Sequence, residues 1–233
     1  HIDKIRDDLL DYNYSSVHRD YSNVSGVTSS AAMISEHINA GVSFINYCNH
    51  GYPTGWAVYN YNNSYVNALT NDNKLPFIIS VACNNGEYTY YQQPCFAEAW
   101  MRATNNTTGE PTGAIGGMFS WISQPWTPPM YGQDEMIDIL VESKANNIKR
   151  TAGGVCLNGN MKILDLGSNN DAYKATYNTW ILFGDPSMML RTKAPEKMNV
   201  YCSSSYLMVG MTNYTVNADV DFVGGSNTAN GAT

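Results

Sequence analysis

Apolar residues along the chain follow two kinds of spacing, one typical of helices and one of buried strands. Over 2–10 they recur every three to four positions, which predicts a helix. A second helix is predicted over 31–39, because hydroxyl side chains at 28–30 can cap its start and Gly41 follows its end. Similar patterns predict helices near 65–69, over 95–103 and 133–144, within 155–166, and near 171–182.

Short continuous apolar runs lie between these helices. The runs that predict buried strands are 42–47, 76–82 and 112–122. The segment 123–130 is rich in Pro and Trp and predicts a loop. Buried strands separated by helices are typical of a mostly parallel sheet covered on both faces, and after residue 194 strand-like stretches with Ser and Asn turns take over. We therefore predict an α/β fold for 1–194 and a β-rich unit for 195–233.

Composition and charge argue against several classes of function. The 233 residues are 43% hydrophobic and 14% charged, which is not the composition of a disordered chain. The net charge of −7, with 13 scattered Lys and Arg residues, argues against a nucleic-acid-binding protein. No apolar run approaches the ~18 residues of a membrane helix, so no membrane span is predicted. The chain begins with His and has no signal peptide, so we expect a processed or trimmed amino end.

The cysteines do not form a metal-binding pattern. There are five, an odd number, and no two are spaced as CxxC. A zinc ribbon is therefore not predicted, and at least one thiol is left free unless it pairs with another chain.

Two of the predicted strands end in residues that can carry chemistry. His50 follows the first strand and Cys83 the second, 33 residues later, which leaves room for one crossover helix. If these strands are parallel neighbours, both residues lie at the sheet edge where such folds bind ligands. The imidazole would then generate the Cys83 thiolate, and the Gly51 and Cys83 amides would cradle an oxyanion. Residue types alone leave open a buried structural cysteine and a structural histidine.

Long stretches around these two residues match one known pattern. The matching stretches are GVSFINY at 41–47, NHG at 49–51, LTN at 69–71, LPFI at 75–78, VAC at 81–83, NG at 85–86, PCFAEA at 94–99, MRA at 101–103, GQDEM at 132–136, NNIKRT at 146–151, GGV at 153–155, TW at 179–180 and FGDPS at 183–187. They resemble the gingipain family of cysteine peptidases, and most closely its arginine-specific members. The resemblance runs through nearly all of residues 1–200.

The resemblance implies a fold, an activity and a set of site residues. The fold is a caspase-like three-layer sandwich. The nucleophile is Cys83, the general acid/base is His50, and the amides of Gly51 and Cys83 form the oxyanion hole. The residues that fall where the family lines its primary specificity pocket are Val81, Cys48, Trp126 and Met130. Plain packing is the alternative for these four, and the Pro-rich loop favours the pocket for the last two.

Cofactor, partner and domain expectations also follow from the resemblance. No cofactor is required for the chemistry, and structural calcium is expected without assigned ligands. In the family register, 1–194 is the second catalytic subdomain and 195–233 part of an immunoglobulin-like domain. The expected partner is an upstream catalytic subdomain, from the same precursor or from a separate chain. That subdomain carries the family's acidic residues for orienting the histidine and binding basic side chains, so Arg or Lys specificity is not carried over.

The leading functional prediction is a secreted cysteine endopeptidase that hydrolyses proteins or peptides through an acyl-enzyme. One alternative is a sortase-like transpeptidase of the same family, which resolves the acyl-enzyme with an amine. The other is an inactive paralogue that acts as a binding module, because CNHGYP at 48–53 departs from the family's TGHGSE pattern, as do Asn84 and 87–91 from the pattern after the nucleophile. The resemblance implies export by the type IX route and a place outside the cell or at the outer membrane.

Overall fold

The computed structural model describes residues 1–22, 24–191, 198–202, 206, 209–210, 212–222 and 225–228. Its helices are α1 (Ile2–Asp11), α2 (Ala31–Ala40), α3 (Asn63–Val66), α4 (Phe96–Arg102), α5 (Thr127–Leu140), α6 (Ala152–Gly167) and α7 (Asp171–Thr179). Its strands are β1 (Phe44–Cys48), β2 (Gly51–Tyr52), β3 (Gly55–Trp56), β4 (Phe77–Val81), β5 (Gly116–Ser120), β6 (Trp180–Phe183), β7 (Met198–Cys202), β8 (Val216–Phe222) and β9 (Gly225–Thr228). The chain divides into two compact units, 1–192 and 193–233.

A four-stranded sheet in the order β1-β4-β5-β6 forms the centre of the first unit. β1 and β4 pair in parallel with Cys48 opposite Val81, and β4 and β5 also pair in parallel. The last strand, β6, runs antiparallel to β5. The predicted mostly parallel sheet is therefore confirmed, and the strands that precede His50 and Cys83 are direct neighbours.

Both faces of this sheet are covered, as its apolar strands predict. Phe77, Ile79 and Val81 of β4 pack in one core cluster, which also holds buried residues of α1, α5 and α6. Ile78 lies in the other cluster, with Ala82 from just after the strand and residues of α2, α3 and α4. Alternate residues of a strand point to opposite faces, so this single run supplies both cores. The result is the predicted three-layer arrangement.

Side-chain caps explain why several helices begin where they do. The Ser30 hydroxyl accepts a hydrogen bond from the Met33 amide at the start of α2, which confirms the predicted cap. The Thr151 hydroxyl accepts from the Gly154 amide at the start of α6. Each cap satisfies one of the amides that a helix leaves unpaired in its first turn.

Two predicted boundaries near the site are wrong. The predicted loop 123–130 gives way at Thr127 to helix α5, with Pro128 and Pro129 in its first turn. Proline is tolerated there because first-turn amides have no helical partner. The predicted helix 171–182 ends at Thr179, since Trp180 is buried and the residues after it pair with β5 as strand β6. The hairpin formed by β2 and β3 was not predicted from the sequence pattern.

The described part of the second unit is a three-stranded antiparallel sheet. β8 lies in the middle, with β7 and β9 on either side. Its immunoglobulin-like assignment and the predicted boundary between 194 and 195 stay predictions. In the described parts of both units, no helix has the length and apolar character needed to cross a membrane.

Candidate active site

His50 is held by its backbone just beyond the end of β1. The Asn49 amide donates to the Val81 carbonyl at 3.2 Å, which continues the β1–β4 pairing by one residue. The His50 carbonyl then accepts from the Ala57 amide at 2.9 Å and from the Tyr47 hydroxyl at 2.8 Å. His50 itself is exposed. The strand and the β2–β3 hairpin therefore fix the backbone and leave the imidazole accessible.

Cys83 lies on the loop that follows β4 and is half-buried. Two backbone hydrogen bonds hold this loop. The Asn84 amide donates to the Ile122 carbonyl at 3.0 Å, and the Gly86 amide donates to the Ser120 carbonyl at 2.8 Å. The thiol itself donates to the Gln124 carbonyl at 3.7 Å. The segment after β5 thus forms one wall of the space around the sulfur.

Gly51 lies directly against the backbone that carries Cys83. A Cβ atom placed on Gly51 would lie 2.8 Å from the Ala82 Cβ and 3.0 Å from the Cys83 carbonyl oxygen. Real side chains do not tolerate such contacts, so only glycine allows the two strand ends to approach this closely. The predicted oxyanion-hole residues, Gly51 and Cys83, are therefore brought together, and their role stays a prediction.

A single loop contacts both members of the predicted dyad. The Trp126 ring lies edge-on to the His50 ring, with centroids 5.1 Å apart and an interplanar angle of 71°. Two residues earlier, the Gln124 carbonyl accepts from the Cys83 thiol. Trp126 is 49% exposed, so its ring forms a wall that solvent and ligands can reach.

The other predicted pocket residues lie deeper. Val81 is 2% exposed and belongs to the core cluster on the α1, α5 and α6 side of the sheet. Cys48 and Met130 are partly buried against that same cluster. These contacts are those of core packing, and the pocket role of all three residues stays a prediction.

A buried amide links the nucleophile loop to the hairpin after His50. Asn85 is fully buried, and its Nδ2 donates to the carbonyls of Tyr52 at 2.8 Å and Gly55 at 2.9 Å. Its Oδ1 accepts from the Ser80 hydroxyl at 3.1 Å, and that hydroxyl accepts from Trp56 Nε1 at 3.0 Å. The sequence marked Asn85 only as part of a matching stretch, because its partners are distant carbonyls that no local pattern reveals.

Three of the other four cysteines are buried or partly buried. Burial raises the pKa of Cys48 to about 11 and that of Cys95 to about 12, and it also raises the pKa of Cys156. These three groups are protonated near neutral pH and are therefore poor nucleophiles. Cys202 is exposed and lies in the second unit. Cys83 differs from these in lying on a loop, beyond the strand that pairs with β1.

No carboxylate-rich metal site accompanies this arrangement. In the ranges that the structure describes, no group of three or more His, Cys, Asp or Glu side chains is placed to hold a metal ion. Calcium prefers six to eight oxygen ligands, mostly carboxylates and carbonyls. Structural calcium therefore stays a prediction without assigned ligands.

Comparison with known proteins places this arrangement in a family. The model of peptidase family C25 matches residues 2–191. Gingipain R1 of Porphyromonas gingivalis is 40% identical over 216 residues, which cover 93% of this chain and 21% of the relative. Gingipain R2 of the same species is 43% identical over 192 residues, which cover 82% of this chain and 25% of the relative.

Solved structures agree with the sequence comparisons. The crystal structure of the Arg-specific cysteine proteinase gingipain R has a TM-score of 0.79 at 38% identity, covering 94% of this chain and 48% of that one. A complex of gingipain pro- and mature domains from P. gingivalis has a TM-score of 0.77 at 39% identity, covering 94% and 49%. The caspase-like fold is therefore confirmed, although the chain spans about a quarter or less of these curated relatives and about half of the solved chains. The chain belongs to peptidase family C25.

Proposed function

We propose that this chain carries the nucleophile and the general acid/base of a cysteine endopeptidase. The observation that carries the proposal is the shared loop wall, in which the Gln124 carbonyl touches the Cys83 thiol and the Trp126 ring touches the His50 ring. A thiol and an imidazole that follow adjacent parallel strands and contact the same loop support nucleophilic catalysis by this pair. The close approach of Gly51 to the Cys83 backbone supports an oxyanion site between them.

In the proposed mechanism, His50 takes the thiol proton of Cys83 and the thiolate attacks the peptide carbonyl carbon. The carbonyl oxygen gains negative charge, which the amides of Gly51 and Cys83 stabilise. The intermediate collapses as the C–N bond breaks, and His50 gives its proton to the leaving amine. Water then loses a proton to His50 and attacks the thioester, which releases the carboxylic acid product and restores the thiol.

Replacement of the nucleophile tests this proposal. In the full-length protein, Cys83→Ala should lower peptide hydrolysis at least about a thousandfold and abolish labelling by an electrophilic peptide probe. Cys202→Ala is the matched control, because it removes an exposed thiol from the other unit and should leave both readouts unchanged. Hydrolysis at the original rate in Cys83→Ala would disprove the assignment.

We propose an upstream catalytic subdomain as the partner of this chain, from the same precursor or a separate chain. The chain corresponds to about half of the solved gingipain R chain, and a pro-domain accompanies the mature domain in a solved relative. Co-purification of the upstream segment with this chain tests the proposed partner.

We further propose that the protein acts outside the cell or at its surface, as the resemblance to gingipains implies. Detection of this chain in culture medium or on intact cells tests the proposed location.

A further inference from the structure

Two exposed aromatic side chains stack on each other beside the nucleophile loop. Tyr88 is 55% exposed and Trp121 is 37% exposed, and their rings lie 6.2 Å apart at an interplanar angle of 22°. Trp121 Nε1 donates to the Thr89 hydroxyl at 3.1 Å, which fixes the orientation of the indole. This pair, Tyr88 and Trp121, is called the aromatic shelf. A stacked aromatic pair that remains open to solvent is a typical binding surface for apolar groups.

The aromatic shelf lies at the same sheet edge as the predicted dyad. Trp121 is the first residue after β5, and Cys83 and His50 are the second residues after β4 and β1. The strand order β1-β4-β5 places His50, Cys83 and Trp121 in a row along the carboxyl edge. Neighbouring strands are about 4.8 Å apart, so the backbone that carries Trp121 begins roughly one strand spacing from the end of β4, on the side away from β1.

Backbone hydrogen bonds fix the aromatic shelf to the nucleophile loop. Asn84 and Gly86 donate to the carbonyls of Ile122 and Ser120, on either side of Trp121. Within the loop, the Tyr88 amide donates to the Gly86 carbonyl at 2.8 Å. Both rings are therefore carried by segments that are bonded to the chain around Cys83.

We propose that the aromatic shelf is a substrate subsite that binds an aromatic or large aliphatic side chain on the acyl side of the scissile bond. This inference rests on the proposed peptidase function. His50 protonates the leaving amine, so the leaving part of the peptide lies over β1 and the acyl part extends towards β5. An extended peptide advances about 3.3 Å per residue, so the bound side chain belongs to the second or third residue before the scissile bond.

Cleavage-site profiling of a peptide library tests the aromatic shelf, whichever residue the enzyme requires at the scissile bond. The full-length protein should cut preferentially where Phe, Tyr, Trp or Leu occupies one of these two positions. For a matched pair of peptides with Phe or Gly at the preferred position, kcat/KM should differ about tenfold. Trp121→Ala and Tyr88→Ala should each remove most of this difference, whereas Tyr88→Phe should keep it.

The control variant is Tyr65→Ala, which removes a similarly exposed stacked tyrosine from α3. It should leave the Phe/Gly ratio unchanged. A flat profile before the scissile bond, a preference only after it, or a full preference in both Trp121→Ala and Tyr88→Ala would each overturn the inference while leaving the peptidase function intact. If the unmodified protein neither cleaves any peptide nor reacts with an electrophilic probe at Cys83, the proposed function fails and the subsite fails with it.

Discussion

At the scale of single residues, Cys48 and the predicted nucleophile Cys83 differ in their position relative to the sheet. Cys48 and Cys83 both lie near the ends of adjacent parallel strands. Cys48 is the last residue of β1 and packs partly buried against the core, whereas Cys83 lies two residues past the end of β4. Both side chains are half-buried, but Cys48 packs against the core cluster and Cys83 lies on the loop beyond its strand.

The burial of Cys48 predicts how its thiol responds to pH. Burial raises the pKa of Cys48 from 9.0 to about 11, because the thiolate is poorly solvated there. At pH 8, iodoacetamide should therefore modify Cys48 about a hundredfold more slowly in the native protein than in the urea-denatured chain. The native rate should rise as the pH approaches 11, and site-resolved mass spectrometry measures it.

The same shift has a consequence for stability with a defined sign. Below pH 9 the Cys48 thiol is protonated in both states and its burial is not penalised. Between pH 9 and 11 the unfolded thiol ionises first, so the native state loses stability as the pH rises. Equal alkylation rates at pH 8 in the native and denatured protein would contradict the burial on which both expectations depend.

At the scale of secondary-structure elements, the hydrogen bonds of Asn85 join the exit of β4 to the β2–β3 hairpin. Its side chain donates to the carbonyls of half-buried Tyr52 and buried Gly55, and both residues follow His50 in the chain. We therefore expect Asn85 to act as a positioning residue that holds the two halves of the predicted dyad together. Replacement of Asn85 by Ala removes both of these hydrogen bonds, at a cost of about 1–3 kcal/mol.

We expect Asn85→Ala to lower kcat more than it raises KM, because the dyad loses alignment while the substrate-contacting residues remain. The variant should also slow reaction of Cys83 with an electrophilic probe. Asn71→Ala is a matched control, since Asn71 is another fully buried amide that donates to two carbonyls, those of Lys74 and Gly113, but it precedes β4. Equal losses of kcat at equal loss of thermal stability in the two variants would reduce Asn85 to a structural role.

Element prediction from the sequence succeeds where one physical signal dominates. The strands that carry the dyad are continuous apolar runs, and α2 has a cap, an apolar period and a terminal glycine. β6 was missed because Trp180–Phe183 continues an amphipathic helical pattern, and only pairing with β5 turns it into a strand. The start of α5 was missed because proline signals a loop and a first helical turn equally well.

At the scale of the whole molecule, the sequence predicts that His50 and Cys83 lie at one sheet edge, but it does not predict the contacts around them. His50 and Cys83 follow predicted strands, so the parallel order alone brings them to one edge. The aromatic shelf and the Asn85 network depend instead on which loops meet across strands, information that no local pattern contains. The aromatic shelf depends on the bonds of Asn84 and Gly86 to the chain around Trp121, and the Asn85 network depends on the approach of the β2–β3 hairpin.

The side of β1 that faces away from β4 is a candidate site for pairing with another protein segment. Among the described residues β1 has one strand partner, β4, and a cavity of about 480 Å³ lies along its other side. The Ser43 carbonyl accepts from the Phe77 amide, and the Asn49 amide donates to the Val81 carbonyl. The backbone groups of Ser43 and Asn49 therefore face β4. Since a residue's N–H and C=O point to the same side of a strand, the groups of Phe44, Asn46 and Cys48 between them face the cavity. A sheet edge whose polar backbone groups lack a strand partner is a ready site for pairing with another segment.

Hydrogen exchange can show whether the proposed upstream subdomain covers this edge. We expect the amides of Phe44, Asn46 and Cys48 to exchange at least about tenfold more slowly in the protein that includes the subdomain than in residues 1–233 alone, because pairing or burial removes them from water. The amides of Ile45 and Tyr47 point towards β4 and serve as internal controls that should change little. Uniform slowing of all five amides would indicate a general gain in stability, and no slowing of the first three would mean that the subdomain docks elsewhere.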